Sequence, residues 1–127
     1  MGSRMMSGNT DHHDALEEDL AALVQKEAAV LVNFGYQGIM SAIDALLSRH
    51  DIAVYDANCH ACIVDALRMH SGHRLSYNHN DIDSLEQRLK QAHKLAEKTA
   101  GGVLVISEGV FGMRGDQGKL REIKTYL

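Results

Sequence analysis

Three short segments marked by glycine or histidine each follow an apolar run and precede a helical pattern, and this order constrains the fold most. They are residues 33–36 (Asn-Phe-Gly-Tyr), 56–62 (Asp-Ala-Asn-Cys-His-Ala-Cys) and 108–116 (Glu-Gly-Val-Phe-Gly-Met-Arg-Gly-Asp). In an open α/β sheet, ligands bind at the carboxyl ends of the strands, where loops and helix N-termini converge. The sequence therefore predicts an α/β fold with a cofactor site along one edge of a parallel sheet.

Apolar runs and helical patterns alternate along the chain. Strands are expected near 28–32, 52–55, 74–78 and 103–107. Helices are expected over 14–24, 38–49 and 81–99, around 63–67, and from about 118 onward. Because strands and helices alternate at this spacing, the strands should form a parallel sheet with crossover helices between them.

The helix over 81–99 carries signals at both ends and along its length. We expect Asp81 to cap its N-terminus, Glu86 and Lys90 to pair one turn apart, and Gly101-Gly102 to end it. Its expected apolar stripe consists of Ile82, Leu85, Leu89, Ala92 and Ala96.

Two other helices have expected features of their own. Asn58 could cap the helix around 63–67, since asparagine is a favoured N-cap residue. The helix over 38–49 should bury one apolar face, formed by Ile39, Ile43, Leu46 and Leu47.

Composition and charge limit the classes of function. The 127 residues form at most one domain, and 45% hydrophobic with 24% charged residues is typical of a soluble globular protein. No apolar run approaches the roughly 20 residues that span a bilayer, and the N-terminus lacks a signal-peptide pattern, so a cytoplasmic location is expected. The net charge of −4 with scattered basic residues argues against nucleic-acid binding, and two cysteines argue against a disulfide scaffold.

The segment 34–38 (Phe-Gly-Tyr-Gln-Gly) suits a phosphate group. Its two glycines would let backbone amides approach an anion at a helix N-terminus, where partial positive charge gathers. A tight turn that needs glycine for its dihedral angles is the alternative. The loop over 108–116 likewise has two interpretations, the polar wall of a pocket or an ordinary surface loop.

The histidines and cysteines raise the question of a metal site. His12 and His13 cannot easily share one ion, because neighbouring side chains on a helix point about 100° apart. Two interpretations of this pair remain: both side chains are exposed at the surface, or one ring lies flat on an aromatic cofactor. A zinc site joining Cys59, Cys62 and His70 is disfavoured, since a helix would separate Cys62 from His70 by about 12 Å. No metal is therefore expected, and a thioredoxin-like dithiol would leave the other junctions unexplained.

Taken together, these segments resemble the α-oxoamine synthases, a family of pyridoxal-phosphate-dependent enzymes that includes serine palmitoyltransferase, 8-amino-7-oxononanoate synthase and 2-amino-3-ketobutyrate CoA ligase. The matching segments lie in order over 2–8, 13–17, 33–36, 56–62, 77–81 and 108–116. The resemblance implies a three-layer α/β/α fold with a mostly parallel sheet, within the large domain of a fold-type I pyridoxal-phosphate enzyme. It also implies that residues 1–127 form part of that domain, without the N-terminal arm or the C-terminal small domain.

The resemblance assigns cofactor-binding roles to residues in four of the segments. His13, in the histidine position of the family's G-x4-H-x2-LE segment, would stack on the pyridine ring of pyridoxal phosphate. The backbone amides of Gly35 and Tyr36 would hold the phosphate. Asp56 and His60 match the family's D-x3-H-A-S motif, which lies beneath the cofactor.

The same comparison shows where the chain departs from the family pattern. Glu108 and Asp116 match the acids of an E-G-V-F-S-M-D-G-D loop, and Glu108 would belong to the cofactor site. Within that loop, Gly112 stands where serine is usual and Arg114 where aspartate is usual. Cys62 replaces the serine of D-x3-H-A-S.

The activity implied by the resemblance is a condensation of an amino acid with an acyl-CoA, with loss of carbon dioxide, in a homodimer. A pyridoxal-phosphate aminotransferase or lyase of the same fold, and a non-catalytic binding or assembly module, are the alternatives. In the family, a D-D-A-H segment and the Schiff-base lysine would lie beyond Leu127, and no lysine here has Ser or Thr three residues before it. The isolated chain is therefore expected to be inactive and to contain no catalytic residue.

Overall fold

The computed structural model describes residues 2–127 and divides into two compact units, one that ends at Gly35 and one over Tyr36–Leu127. The first unit contains a π-helical turn, Arg4–Gly8, and helix α1, Asp11–Leu23. The helix predicted over 14–24 is thus confirmed, and it begins one turn earlier than predicted.

The strand predicted at 28–32 is wrong, because side chains bind the backbone groups of this run. Glu17 Oε1 accepts the N–H of Leu31 at 2.6 Å, and Arg4 Nη1 donates to the Leu31 carbonyl oxygen at 3.0 Å. Arg4 also pairs with Glu17 at 2.6 Å, and this hydrogen bond lowers the pKa of the Glu17 carboxyl to about 2. An apolar run becomes a strand only where a neighbouring strand pairs with its backbone, and Val30 stays 82% exposed here.

The second unit alternates helices and strands. Its helices are α2, Gly35–Leu46, which begins at the last residue of the first unit, then α3, Ala61–Met69, α4, Ile82–Thr99, and α5, Leu120–Lys124. Its strands are β1, Ile52–Asp56, β2, His73–Tyr77, β3, Val103–Ile106, β4, Val110–Phe111, and β5, Asp116–Gln117. Three of the four predicted strands are confirmed, each with ends within one residue of the prediction.

The main sheet has β1 at its centre, in the order β2-β1-β3, and both pairings are parallel. Val54 lies opposite Leu75 on one side and Val105 on the other. The carboxyl ends of all three strands therefore meet at one edge of the sheet. Beyond that edge, β4 and β5 form a small antiparallel hairpin within the segment predicted as a loop.

Helices cover both faces of the sheet, because successive residues of a strand point to opposite faces. Ala53 belongs to one core, and its neighbours Ile52 and Val54 belong to the other. The Ala53 core contains residues from α2, α3 and β4: Ile43, Cys62, Ile63, Ala66, Leu67 and Phe111. The second core contains residues from α4 and α5: Leu85, Leu89, Ala92, Ala96 and Ile123. Within this unit the layers are helix, sheet and helix.

Helix α4 has the predicted N-cap and ion pair, but its left-handed terminal residue is Ala100, directly before the glycines that were predicted to end it. Asp81 Oδ1 accepts the N–H of Ser84 at 2.9 Å, Glu86 pairs with Lys90 at 2.6 Å, and Ala100 ends the helix in the left-handed region at φ 54°. The predicted stripe faces the sheet, with Leu85, Leu89, Ala92 and Ala96 buried and Ile82 half-buried.

Two details of the other helices differ from prediction. Helix α2 begins at Gly35 rather than Gly38 and turns Ile39 and Leu46 outward, so that they are 44% and 68% exposed. The cap of α3 is His60 rather than Asn58, since the N–H of Asn58 bonds back to Asp56 Oδ1 at 2.8 Å and delays the start of the helix.

Among residues 2–127, no helix is long and apolar enough to cross a membrane.

Candidate functional site

Asp56, the last residue of β1, is fully buried, and three donors surround its carboxylate. Oδ1 accepts from the N–H of Asn58 at 2.8 Å and lies 2.9 Å from His79 Nδ1, and Oδ2 accepts from the N–H of Asn80 at 2.9 Å. Asn80 has a φ of 53°. A buried carboxylate needs such partners, because desolvation without them is costly. Asp56 therefore anchors the loops that follow both β1 and β2.

His79 connects Asp56 to the β4–β5 hairpin. Its Nε2 lies 2.7 Å from Asp116 Oδ2, and its ring packs edge-on against Phe111 with 4.4 Å between the ring centroids. An ionised carboxylate only accepts hydrogen bonds, so both ring nitrogens must donate, which requires the imidazolium form. The hydrogen bonds to Asp116 and Asp56 raise the pKa of His79, and the bond from His79 lowers the pKa of Asp116.

His60 lies on the same sheet edge, directly before α3. Its Nδ1 accepts the N–H of Cys62 at 3.3 Å, which caps the helix. The backbone N–H of His60 donates to Oε1 of Glu108, a residue in the loop after β3. The loop before α3 is thereby tied to the loop after β3.

Tyr36, in the first turn of α2, contacts α3 through its hydroxyl. It donates to Asp65 Oδ2 at 2.5 Å, and Arg68 Nη1 donates to the other oxygen of Asp65 at 2.9 Å. The tyrosine–aspartate hydrogen bond raises the pKa of Tyr36 and lowers that of Asp65. The Tyr36 ring meets the His60 ring edge-on, with centroids 5.9 Å apart. These contacts place Tyr36 beside the turn that carries His60.

The N-terminus of α2 offers backbone donors. The first N–H groups of a helix have no acceptor within the helix, and the helix dipole makes this end partly positive. Within residues 2–127, the glycine with a left-handed φ is Gly115, at 74°, and Gly35 has no positive φ. The backbone conformation at Gly35 therefore does not require glycine, which removes the tight-turn argument for this position.

The remaining predicted residue, His13, lies in the first turn of α1 in the first unit. Its Nδ1 is 2.8 Å from the Thr10 hydroxyl. The assignment of His13 to the same cofactor as Gly35 and Tyr36 stays a prediction. Of the six residues assigned to the cofactor, the structure brings four to one region of the second unit: Tyr36, Asp56, His60 and Glu108.

Both cysteines are buried and reduced. Burial raises the pKa of the Cys59 thiol to about 12, and its sulfur lies 3.9 Å from the Ile106 carbonyl oxygen. A thiol with so high a pKa is not a nucleophile at neutral pH. Across residues 2–127, no group of three or more His, Cys, Asp or Glu side chains could hold a metal ion.

The two positions in the hairpin that depart from the family pattern, Gly112 and Arg114, both lie in open surroundings. A Cβ built at Gly112 would meet no atom within 4 Å, so a serine side chain would fit there. Gly118 is different, because a Cβ at that position would collide with the carbonyl oxygen of Glu108. Arg114 is exposed in the turn between β4 and β5.

Sequence reasoning missed two residues that organise the site. It gave no role to His79, although the polar run 78–81 (Asn-His-Asn-Asp) directly after β2 was a signal for a residue at the carboxyl edge of the sheet. It also missed Asp65, for which the sequence carried no signal, since one acid in a helix is usually solvated.

The available groups fit a planar aromatic ring that carries a phosphate. The amides at the start of α2 can receive an anion, and the exposed His60 ring offers an aromatic face beside Tyr36. No group in the described part of the chain bonds His60 Nε2, which leaves that nitrogen accessible to a ligand.

Comparison with known proteins adds independent findings. Residues 1–127 match the aminotransferase class I and II family. The cysteate-C-fatty acyltransferase of Capnocytophaga ochracea is 61% identical over 123 residues, which are 97% of this chain and 29% of that protein. Serine palmitoyltransferase of Sphingomonas wittichii superposes with a TM-score of 0.91 at 32% identity, over 99% of this chain and 30% of that one.

A second solved structure contains the cofactor pyridoxal phosphate. Serine palmitoyltransferase of S. paucimobilis, with PLP and myriocin bound, superposes with a TM-score of 0.90 at 28% identity. The match covers 98% of this chain and 30% of that one. The chain thus spans about three-tenths of the length of the relatives it matches.

Proposed function

Because the chain belongs to the aminotransferase class I and II family, we propose that it is part of the large domain of a pyridoxal-phosphate-dependent acyltransferase. The intact gene product would condense an amino acid with an acyl-CoA and release carbon dioxide. The three-layer order of the second unit and the likeness to serine palmitoyltransferase support this assignment. A homodimer is part of the proposal by analogy with the family.

The observation that carries the proposal is the 61% identity to a cysteate-C-fatty acyltransferase, against 35% for a serine palmitoyltransferase of Bacteriovorax stolpii. We therefore assign cysteate as the amino acid and a fatty acyl-CoA as the donor. In the reaction, the α-carbon of cysteate loses its proton and bonds to the acyl carbon, and the thioester C–S bond breaks so that CoA takes up a proton and leaves as the thiol. The carboxylate leaves as carbon dioxide, and a proton takes its place on the α-carbon.

The residues that would hold the cofactor are those at the carboxyl edge of the sheet. When bound, pyridoxal phosphate would supply an electron sink for the electron pair left on the α-carbon. The amides of Gly35 and Tyr36 would donate to its phosphate, since they begin α2. His60 would face its ring, because the imidazole is exposed and held at both the side chain and the backbone.

Asp56 and Glu108 would act on this site through other residues. The Asp56 carboxylate is buried and already accepts hydrogen bonds from two amides and His79, so it would position the loops rather than touch the cofactor. Glu108 would hold the backbone of His60. His13 is assigned to the ring by resemblance alone, and its replacement by alanine in the intact gene product tests that role through the amount of cofactor retained.

The test is an assay of the purified intact gene product with a fatty acyl-CoA and carboxyl-labelled cysteate. We expect CoA thiol and labelled carbon dioxide in equal amounts, and a kcat/KM for serine that is lower by about tenfold or more. A His60→Gln variant should lose bound pyridoxal phosphate on dialysis more readily than the unmodified protein, which is read from the cofactor absorbance.

Three outcomes would contradict the proposal. Amino-group transfer to a 2-oxo acid without any use of acyl-CoA would favour the aminotransferase alternative. Serine turned over faster than cysteate would refute the substrate assignment but keep the reaction class. Failure to bind pyridoxal phosphate at all would favour the alternative in which the protein is a non-catalytic binding or assembly module.

A further inference from the structure

Cys62 lies against His60 at the point where this chain departs from the D-x3-H-A-S pattern. Its sulfur is 3.1 Å from His60 Nδ1, and its backbone N–H points to the same nitrogen at 3.3 Å. Cys62 is 5% exposed and belongs to the core beneath α3. The thiol is therefore fixed in place under an exposed imidazole.

The hydrogen-bond geometry determines which ring nitrogen carries the proton. A backbone N–H can only donate, so Nδ1 must present its lone pair to Cys62. The S–H group, a weak donor, can then add a second bond to that nitrogen. The proton of the neutral ring must consequently lie on Nε2, the nitrogen that no group in residues 2–127 bonds.

A thiolate–imidazolium pair would need the opposite arrangement. Nδ1 would carry a proton aimed at the sulfur, and this proton would face the N–H of Cys62 directly. Two donors pointed at each other are unfavourable, so the cap of α3 and the ion pair exclude each other.

We propose that Cys62 is a positioning residue that holds His60 in the Nε2–H tautomer and fixes its ring orientation. The thiol contributes through its hydrogen on Nδ1, where the family pattern would place a serine hydroxyl. The significance for catalysis rests on the proposed function, in which His60 faces the cofactor ring. The tautomer itself is a property of the protein without substrate.

The test uses three cysteine variants, and one histidine variant for signal assignment, of the intact gene product labelled with ring-¹⁵N histidine. Cys62→Ser keeps a donor at this position, and Cys62→Ala removes it. Cys59→Ala is the matched control, because it deletes an equally buried thiol that contacts Ile106 and not His60. The His60 signals are assigned by their loss in His60→Gln.

We expect the unmodified protein, Cys62→Ser and Cys59→Ala to show an unprotonated Nδ1 and a protonated Nε2 at neutral pH. In Cys62→Ala the fraction of ring protonated at Nδ1 should rise about two- to fivefold, the factor that one weak hydrogen bond controls. The pH dependence of kcat/KM should shift in Cys62→Ala and return in Cys62→Ser.

A protonated Nδ1 in the unmodified protein, or the ultraviolet absorbance of a thiolate at neutral pH, would overturn the proposal. So would a Cys62→Ala spectrum identical to that of Cys59→Ala. Because the NMR measurement needs no turnover, it separates this proposal from the assigned reaction: the expected tautomer in a protein without acyltransferase activity would refute only the proposed function.

Discussion

His79 Nε2 lies 2.7 Å from Asp116 Oδ2 and so joins the β4–β5 hairpin to the main sheet. The other ring nitrogen contacts Asp56, which is fully buried at the end of β1. The His79 imidazolium thus lies between two carboxylates, one at the end of β1 and the other at the start of β5. The bridge is one of several contacts that hold the hairpin, together with the hydrogen bond from Asn80 Nδ2 to the Gln117 carbonyl oxygen.

Replacing His79 should destabilise the protein, because Asp56 would remain buried without its cationic partner. We expect His79→Leu to cost about 3–5 kcal/mol, and His79→Gln to cost less because its amide can still donate one hydrogen bond. Thermal unfolding of the purified variants measures both. His93→Gln, on the exposed side of α4, is the control and should leave Tm unchanged. Equal Tm values for His79→Leu and His93→Gln would show that the bridge contributes nothing.

The bridge should also make stability depend on pH in a defined direction. The pKa of His79 is raised in the folded state, so its contribution is complete below the unfolded value of about 6.5 and is lost as the pH rises through the folded value. The pKa of Asp116 is lowered, so its contribution is present above about 3.9 and is lost as the pH falls through the folded value.

The Tm difference between the unmodified protein and His79→Gln should therefore be largest between about pH 4 and pH 6.5 and should shrink at alkaline pH. Scans at intervals from acid to alkaline pH in one buffer series measure it. A difference that grows with rising pH would contradict the imidazolium assignment.

Two glycines of the hairpin region should respond differently to a side chain. At Gly118 an added Cβ would collide with the Glu108 carbonyl oxygen, which is rigid backbone, and Gly118→Ala should cost about 1–3 kcal/mol. At Gly112 the space is open, and Gly112→Ser, which restores the usual family residue, should change stability by less than about 0.5 kcal/mol. Thermal unfolding of the pair tests this contrast, and the reverse order would refute it.

The sequence allowed the sheet and the family to be predicted because their signals are local. The runs that became β1 and β3 are apolar and bounded by polar turns, and α4 carries its own cap, stripe and terminator. The α/β fold and the resemblance to α-oxoamine synthases are both confirmed, the latter by curated relatives and solved structures. Motifs in a fixed order carried more information than any one of them.

The errors have long-range causes. The run at 28–32 has the same apolar character as the true strands, but contacts with Arg4 and Glu17, distant in sequence, bind its backbone. His79 received no role because its two partners lie 23 and 37 residues away. Hydrogen bonds of that kind leave no periodic pattern in the sequence, so only the packed structure reveals them.

The hydroxyl of Tyr36 should matter for orienting its ring more than for stability. Tyr36→Phe removes the 2.5 Å hydrogen bond to Asp65 but keeps the aromatic contact with His60. Because this bond lies at the protein surface, we expect only a small loss in unfolding free energy. Freed from Asp65, the ring can rotate beside His60, and the intact gene product should bind pyridoxal phosphate about two- to fivefold more weakly.

Asp65→Asn provides the matching variant, since its amide oxygen can still accept the hydroxyl while the charge is lost. We expect its affinity for pyridoxal phosphate to lie between those of the unmodified protein and Tyr36→Phe. Tyr126→Phe, far along the chain on an exposed ring, is the control. Cofactor titration followed by absorbance measures all three, and an affinity for Tyr36→Phe equal to that of Tyr126→Phe would show that the Tyr36–Asp65 bond has no part in the site.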